Sequence, residues 1–134
     1  MEGIRKVGIL GCGTMGAGIA QVVATAGYAT LVREPEEGLL RKGRERIEKG
    51  LERAVEKGKL EASQKDQARQ RLSGVTSLEE MKDCQLIIEA LPEELDLKKD
   101  HLRRLDSLCP ASTLLASNTS SLIITELAAC TSRP

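Results

Sequence analysis

Gly11-Cys12-Gly13-Thr14-Met15-Gly16 closes the apolar run Lys6-Val7-Gly8-Ile9-Leu10 with the spacing G-x-G-x-x-G. Glycines so placed suit the binding of a pyrophosphate. Gly11 permits a tight turn out of a strand, Gly13 lets the backbone come close to the anion, and Gly16 lets the next helix pack against the strand. The N–H groups at the start of that helix point at the negative charge. Alone, the pattern also describes a plain strand–turn–helix corner. Glu34 adds a second element of the same chemistry: it follows the β-branched run Thr30-Leu31-Val32-Arg33, about twenty residues past the glycines, where a carboxylate accepts hydrogen bonds from an adenosine ribose. A carboxylate suits the ribose hydroxyls and opposes a 2′-phosphate by roughly a few kcal/mol, so NAD is expected over NADP. Arg33 would soften that repulsion only from the same face, and strand alternation sends neighbours to opposite faces.

Cys12 sits inside the glycine turn. It serves either as a small packing side chain, which is the expectation, or as a thiol whose pKa is lowered by the helix N-terminus. The other cysteines, Cys84, Cys109 and Cys130, are scattered without a C-x-x-C, and His101 is the single histidine. That is no zinc pattern, and no metal site is expected. With no signal-peptide h-region in the Met1-Glu2-Gly3-Ile4-Arg5-Lys6 start, the cysteines read as reduced thiols of a cytoplasmic protein. His101 lies within an apolar-striped helix, where a surface or interhelical position is expected.

These groups need elements to position them. Strand one is expected at 6–10 and a helix at 17–26, with Met15, Ile19, Val22, Val23 and Ala26 at helical spacing and Gly27 at its end. From 33 to 71 more than half of the residues are charged, while Leu40, Ile47, Leu51, Ala54 and Val55 keep helical spacing. Glu37 with Arg41 and Glu45 with Lys49 are favourable i,i+4 pairs. Gly58 ends this helix and a second covers about 63–72, so a helical pair (about 36–72) is inserted after strand two. Its charge reads as a solvated face, or as a landing surface for an elongated anion near Arg44, Lys57 and Lys59.

Gly74-Val75-Thr76 could form a minor strand before a turn at Leu78–Met81. Leu86-Ile87-Ile88 reads as a strand buried on both faces. A helix striped by Leu95, Leu102, Leu105 and Leu108 follows, with Pro110 beyond it. Thr113-Leu114-Leu115-Ala116 is the next strand, Ser117-Asn118-Thr119-Ser120-Ser121 a polar loop able to cap a helix, and 122–130 a last helix. The order predicts an α/β fold with a doubly wound parallel sheet in the order 3-2-1-4-5. Ligands of such sheets lie beyond the C-terminal strand ends, where the glycine turn, Glu34, residues 90–93 and residues 117–121 converge.

Composition excludes other classes. The chain has 134 residues, 40% hydrophobic, with one Tyr and no Phe or Trp. That allows one domain with a core of aliphatic side chains. Lacking stacking platforms and carrying as many basic as acidic groups, it offers nothing aimed at nucleic acid. No apolar run approaches the ~20 residues that span a bilayer.

Four stretches resemble the L-3-hydroxyacyl-CoA dehydrogenases, including 3-hydroxybutyryl-CoA dehydrogenases: GCGTMGAGIAQ at 11–21, AGYATLVRE at 26–34, LIIEALPEELDLKK at 86–99 and LLASNTSSLIITELA at 114–128. The resemblance implies a Rossmann domain that binds NAD. Gly11, Cys12, Gly13, Thr14, Met15 and Gly16 hold the pyrophosphate, and Glu34 replaces the family's usual Asp on the ribose. Ala90, Glu93 and Lys98 fall at cofactor-contacting positions; read without the resemblance, Glu93 complements a helix dipole and Lys98 is a solvated lysine. Ser120 matches the serine touching both nicotinamide and the substrate's 3-oxygen, and Asn118 shapes its loop. Lys57 aligns with a lysine contacting CoA, while a serine that accompanies it in some relatives is Gly50 here.

The resemblance further implies an oxidoreductase of fatty acid or butyrate metabolism that takes an acyl-CoA and forms a homodimer when complete. The family's general base, a His in an H-F-F-N-P segment, falls beyond the C-terminal residues 131–134, as does the helical substrate and dimerisation domain. The expectation is therefore a cofactor-binding half that binds NAD(H) without turnover and self-associates through the strand at 113–116. A non-CoA 3-hydroxy acid dehydrogenase and a stand-alone NAD-responsive module remain the other readings.

Overall fold

The computed structural model describes residues 3–119 and 124–133. At its centre is β1 (Lys6–Leu10), which pairs in parallel with β2 (Ala29–Arg33) on one side and β4 (Leu86–Glu89) on the other. β3 (Leu72–Val75) adds outside β2 and β5 (Leu114–Ser117) outside β4. The order is β3-β2-β1-β4-β5, all parallel, the topology expected from the alternation of elements.

Alternate side chains of the strands enter opposite cores, as a sheet covered on both faces requires. Val7, Ile9 and Val32 join the cluster under α1 (Thr14–Thr25), α2 (Glu37–Glu56) and α3 (Ala62–Arg71). Leu10, Leu31 and Ile87 join the cluster under α4 (Leu95–Leu108) and the 3-10 turn Leu78–Met81. A short α5 (Ile124–Ala128) rests against α4.

Several boundaries and faces differ from the sequence reading. α1 starts at Thr14, three residues early, because the glycine turn feeds straight into the helix. It buries Gly16, Ala17, Ala20 and Ala24, and leaves Met15 and Val22 60% and 68% exposed. Pressed between the sheet and α2, this helix has room inward only for small side chains. Neither expected i,i+4 pair on α2 closes to an ion pair among the described residues; instead Glu48 bonds to Arg69 and lies 3.7 Å from Lys65, tying α2 to α3. β5 ends at Ser117, so that serine is a strand residue and not part of the loop. Gly27 (φ +110) and Gly58 (φ +73) end α1 and α2 in left-handed backbone, as their type suggested.

The C-terminal end of α4 is closed by Arg133. Its guanidinium meets Asp106 Oδ1 at 2.7 Å and donates to the carbonyls of Asp106, Cys109, Pro110 and Thr113. Asp106 also receives the N–H of Ser132 at 2.8 Å. One residue satisfies carbonyls that the helix end leaves open and fixes the approach to β5.

Candidate functional site

The turn after β1 divides its labour among three glycines. Gly11 has φ +91 and donates its N–H to Arg33 O at 2.9 Å; a Cβ there would stand 2.8 Å from Ala90 O. A Cβ on Gly16 would collide with the carbonyl of Gly11. Around Gly13 nothing lies within 4 Å of the corresponding point. Two glycines are thus required by the protein itself, and the third leaves an open approach. Gly13 caps α1 without a side-chain bond, so the first-turn N–H groups of Thr14, Met15 and Gly16 have no partner within the helix.

Glu34 reaches back to this turn: its Oε2 accepts the N–H of Cys12 at 2.7 Å. The carbonyl of Cys12 accepts from Arg46 Nη1 of α2 at 3.0 Å. α2 comes this close because Gly43 faces Cys12; a Cβ there would be 2.5 Å from Cys12 Cβ and 2.6 Å from Sγ. Cys12 is fully buried. Burial first, and the charge of Glu34 second, push its thiol up to about 11, which corrects the alternative of a lowered pKa. It is a packing residue.

Arg33 does turn away from Glu34. Its Nε donates to Thr76 O at 2.9 Å and its Nη1 to His101 Nε2 at 3.1 Å, while His101 Nδ1 donates to Leu97 O at 2.9 Å. The histidine is buried between α4 and the sheet, not on the surface or between helices, because a buried arginine needs an acceptor. Both ring nitrogens are engaged.

Beyond β4 and β5 lies a cleft of about 410 Å³ walled by Met15, Ala90, Leu91, Pro92, Glu93, Lys98 and Asn118. The glycine-turn helix, the 90–93 turn and the loop after β5 therefore meet as the topology required. Ala90 N donates to Leu10 O at 2.8 Å and Asn118 N to Glu89 O at 2.9 Å, which fixes both walls to strand ends. Lys98, read as a solvated lysine without the resemblance, is instead 1% exposed. Its ammonium meets Glu89 Oε2 at 2.5 Å, Glu93 Oε1 at 3.1 Å and Leu91 O at 3.1 Å. Thr119 Oγ1 donates to Glu93 Oε2 at 2.7 Å.

Ser120 lies outside the described residues. Lys57 caps the exposed C-terminal end of α2, on the order of 20 Å along the helix from the contact at Gly43, and is not brought to the cleft. At Gly50 the serine of some relatives would meet the amide of Gln21, whose Nε2 donates to Gly50 O at 3.2 Å. Sequence reading missed Glu89, Gly43 and Arg46, and took Ser117 for a loop residue of the site where it is the strand-end partner of Glu89. For Glu89 a signal existed: an acid ending a fully apolar run, with a lysine one helix-turn into the next element.

Residues 6–134 match the family described as the NAD binding domain of 3-hydroxyacyl-CoA dehydrogenase. The chain is 43% identical over 134 residues to a 3-hydroxybutyryl-CoA dehydrogenase of Mycobacterium tuberculosis, covering 99% of this chain and 47% of the relative. To the enzyme of that description from Clostridioides difficile it is 41% identical over 129 residues, 96% of this chain and 46% of the relative. The crystal structure of (S)-3-hydroxybutyryl-CoA dehydrogenase PaaH1 from Ralstonia eutropha superposes with a TM-score of 0.92 at 40% identity, covering 96% of this chain and 46% of that one. The chain spans about half the length of the curated relatives it matches.

Proposed function

The chain belongs to the NAD-binding-domain family of 3-hydroxyacyl-CoA dehydrogenases, and from that premise we propose that it is the cofactor-binding half of an oxidoreductase acting on a 3-hydroxyacyl-CoA. NAD is the cofactor of the family; when bound, its nicotinamide accepts or donates the hydride. The residues fit it. The open approach at Gly13 and the uncapped start of α1 suit a pyrophosphate, and Glu34, standing over the turn, suits the adenosine ribose. Glu93, Lys98 and Met15 stand where the other half of the dinucleotide would lie, and Ser120 is proposed to touch nicotinamide and substrate. Lys57 is proposed to meet the CoA portion of an extended substrate.

Removing the hydroxyl proton of such a substrate needs a base. His101 is committed to Arg33 and Leu97, so on this proposal the chain by itself binds NAD(H) without turnover. The four cysteines are free and no helix among the described residues is long and apolar enough to cross a membrane, which supports the proposed cytoplasmic setting. Homodimerisation of the complete enzyme belongs to the same proposal.

The observation that carries the reading is the Glu34–Cys12 contact, which sets a ribose-binding carboxylate on a phosphate-binding turn. Calorimetric titration of the chain with NADH and NADPH tests it. NADH is expected to bind at least tenfold more tightly; binding of neither, or a preference for NADPH, would sink the proposal.

A further inference from the structure

The most heavily buried charges of the described residues form one cluster at the ends of β4 and β5. Glu89 is 0% exposed and Lys98 1%. Glu89 Oε2 accepts from Lys98 Nζ at 2.5 Å and from Leu91 N at 2.6 Å, and its Oε1 accepts from Ser117 Oγ at 2.5 Å. Lys98 spends its three donors on Glu89, Leu91 O and Glu93. One carboxylate thus joins β4, the 90–93 turn, the first turns of α4 and the end of β5.

A buried ion pair is a poor way to add stability, since apolar side chains of similar size hold a core at least as well. What this pair provides is direction. Lys98 cannot turn elsewhere, and its third bond presents the half-exposed Glu93, also held by Thr119, at the cleft. With the pyrophosphate at the glycine turn and the adenosine ribose at Glu34, a dinucleotide continues across β4 toward β5. That path brings its nicotinamide riboside over this cluster.

We propose that Glu89 is a positioning residue for the nicotinamide riboside half of NAD, acting through Lys98 on Glu93 and the 90–93 turn. The inference rests on the NAD reading above. Its test compares NADH with ADP, which carries the adenosine and both phosphates but no nicotinamide riboside, by titration of the 134-residue chain and its variants, with thermal melts as the fold control. In Glu89→Gln, NADH is expected to bind about tenfold more weakly while ADP binding stays within about twofold of wild type. In a Lys98→Met background, Glu89→Gln is expected to add no further loss. If Glu89→Gln alone does not fold, the double variant, with no unpaired buried charge, replaces it and is expected to show the same selective loss. Equal weakening of NADH and ADP, no weakening of either, or a further loss without Lys98 overturns the positioning role while leaving the dinucleotide reading intact. Failure of wild type to bind either ligand removes both.

Discussion

The N–H of Cys12 lies 2.7 Å from Oε2 of Glu34, so the carboxylate proposed for the ribose also clamps the turn proposed for the phosphates. On the proposed NAD reading the second carboxylate oxygen would meet a ribose hydroxyl, and a 2′-phosphate would meet a negative charge that the turn holds in place. Glu34→Gln keeps an acceptor for Cys12 and removes the charge. NADH affinity is expected to fall about tenfold, as for the loss of a charge-assisted bond, and the NADH-to-NADPH ratio to shrink. An unchanged ratio in paired titrations would contradict this.

The second and third glycines of the turn should separate binding from folding. Gly16→Ala forces a methyl into the carbonyl of Gly11 and is expected to destabilise the fold by roughly 2 kcal/mol or more, seen as a lower melting temperature. Gly13→Ala meets nothing within 4 Å. Its melting temperature is expected to match wild type, with NADH binding lost because the methyl occupies the path of the pyrophosphate.

Two buried thiols make the alkaline limb of stability predictable. Burial pushes Cys12 and Cys84 from 9.0 up to about 11. Between these values the native state keeps the proton that the unfolded chain has lost. The contribution, at most about 3 kcal/mol apiece, is complete below pH 9 and is lost as pH rises toward 11. Denaturant melts from pH 8 to 11 should show the decline, and the Cys12→Ala/Cys84→Ala variant should flatten it.

Asp106 governs part of the acid limb. The N–H of Ser132, with the Arg133 guanidinium and the Ser132 hydroxyl, holds its carboxyl below the usual carboxylate range. That stabilisation is present above the unfolded carboxylate value and is lost as pH falls through the lower folded one. Asp106→Asn is expected to lower the melting temperature at pH 7, and the difference from wild type to narrow as pH falls through the lowered folded value, below which both carry a neutral side chain.

Among the described residues β5 is an edge strand, paired with β4 alone, and its Leu114 is 54% exposed. Open strand edges recruit further strands. Sedimentation at increasing concentration is expected to show self-association of this chain, and Leu114→Lys to suppress it. A monomer at every concentration would remove the edge from consideration.

Local patterns carried most of this fold in the sequence. G-x-G-x-x-G named the first turn because its spacing is local, with Gly16 packed on the carbonyl of Gly11 within six residues. The continuous apolar run at 86–88 named a two-sided strand, and Gly27 and Gly58 named helix ends. What escaped depended on contacts between distant segments. The burial of Cys12 is set by how closely α2 approaches the glycine turn, through Gly43 and Arg46, some thirty residues on. His101 is buried because Arg33, on another element, needs an acceptor. Lys98 looks like any helix lysine until β4 delivers Glu89 beneath it.

Gly11 rests against Ala90, and Ala90 donates to Leu10. During synthesis the glycine turn therefore leaves the ribosome long before the residue that forms its floor. A nascent chain stopped after β3 would carry the whole glycine turn and three of the five strands, yet only a one-walled version of the proposed site. Dinucleotide capture then belongs to the late, post-β4 stage of folding, and a cofactor added to arrested chains would count finished domains.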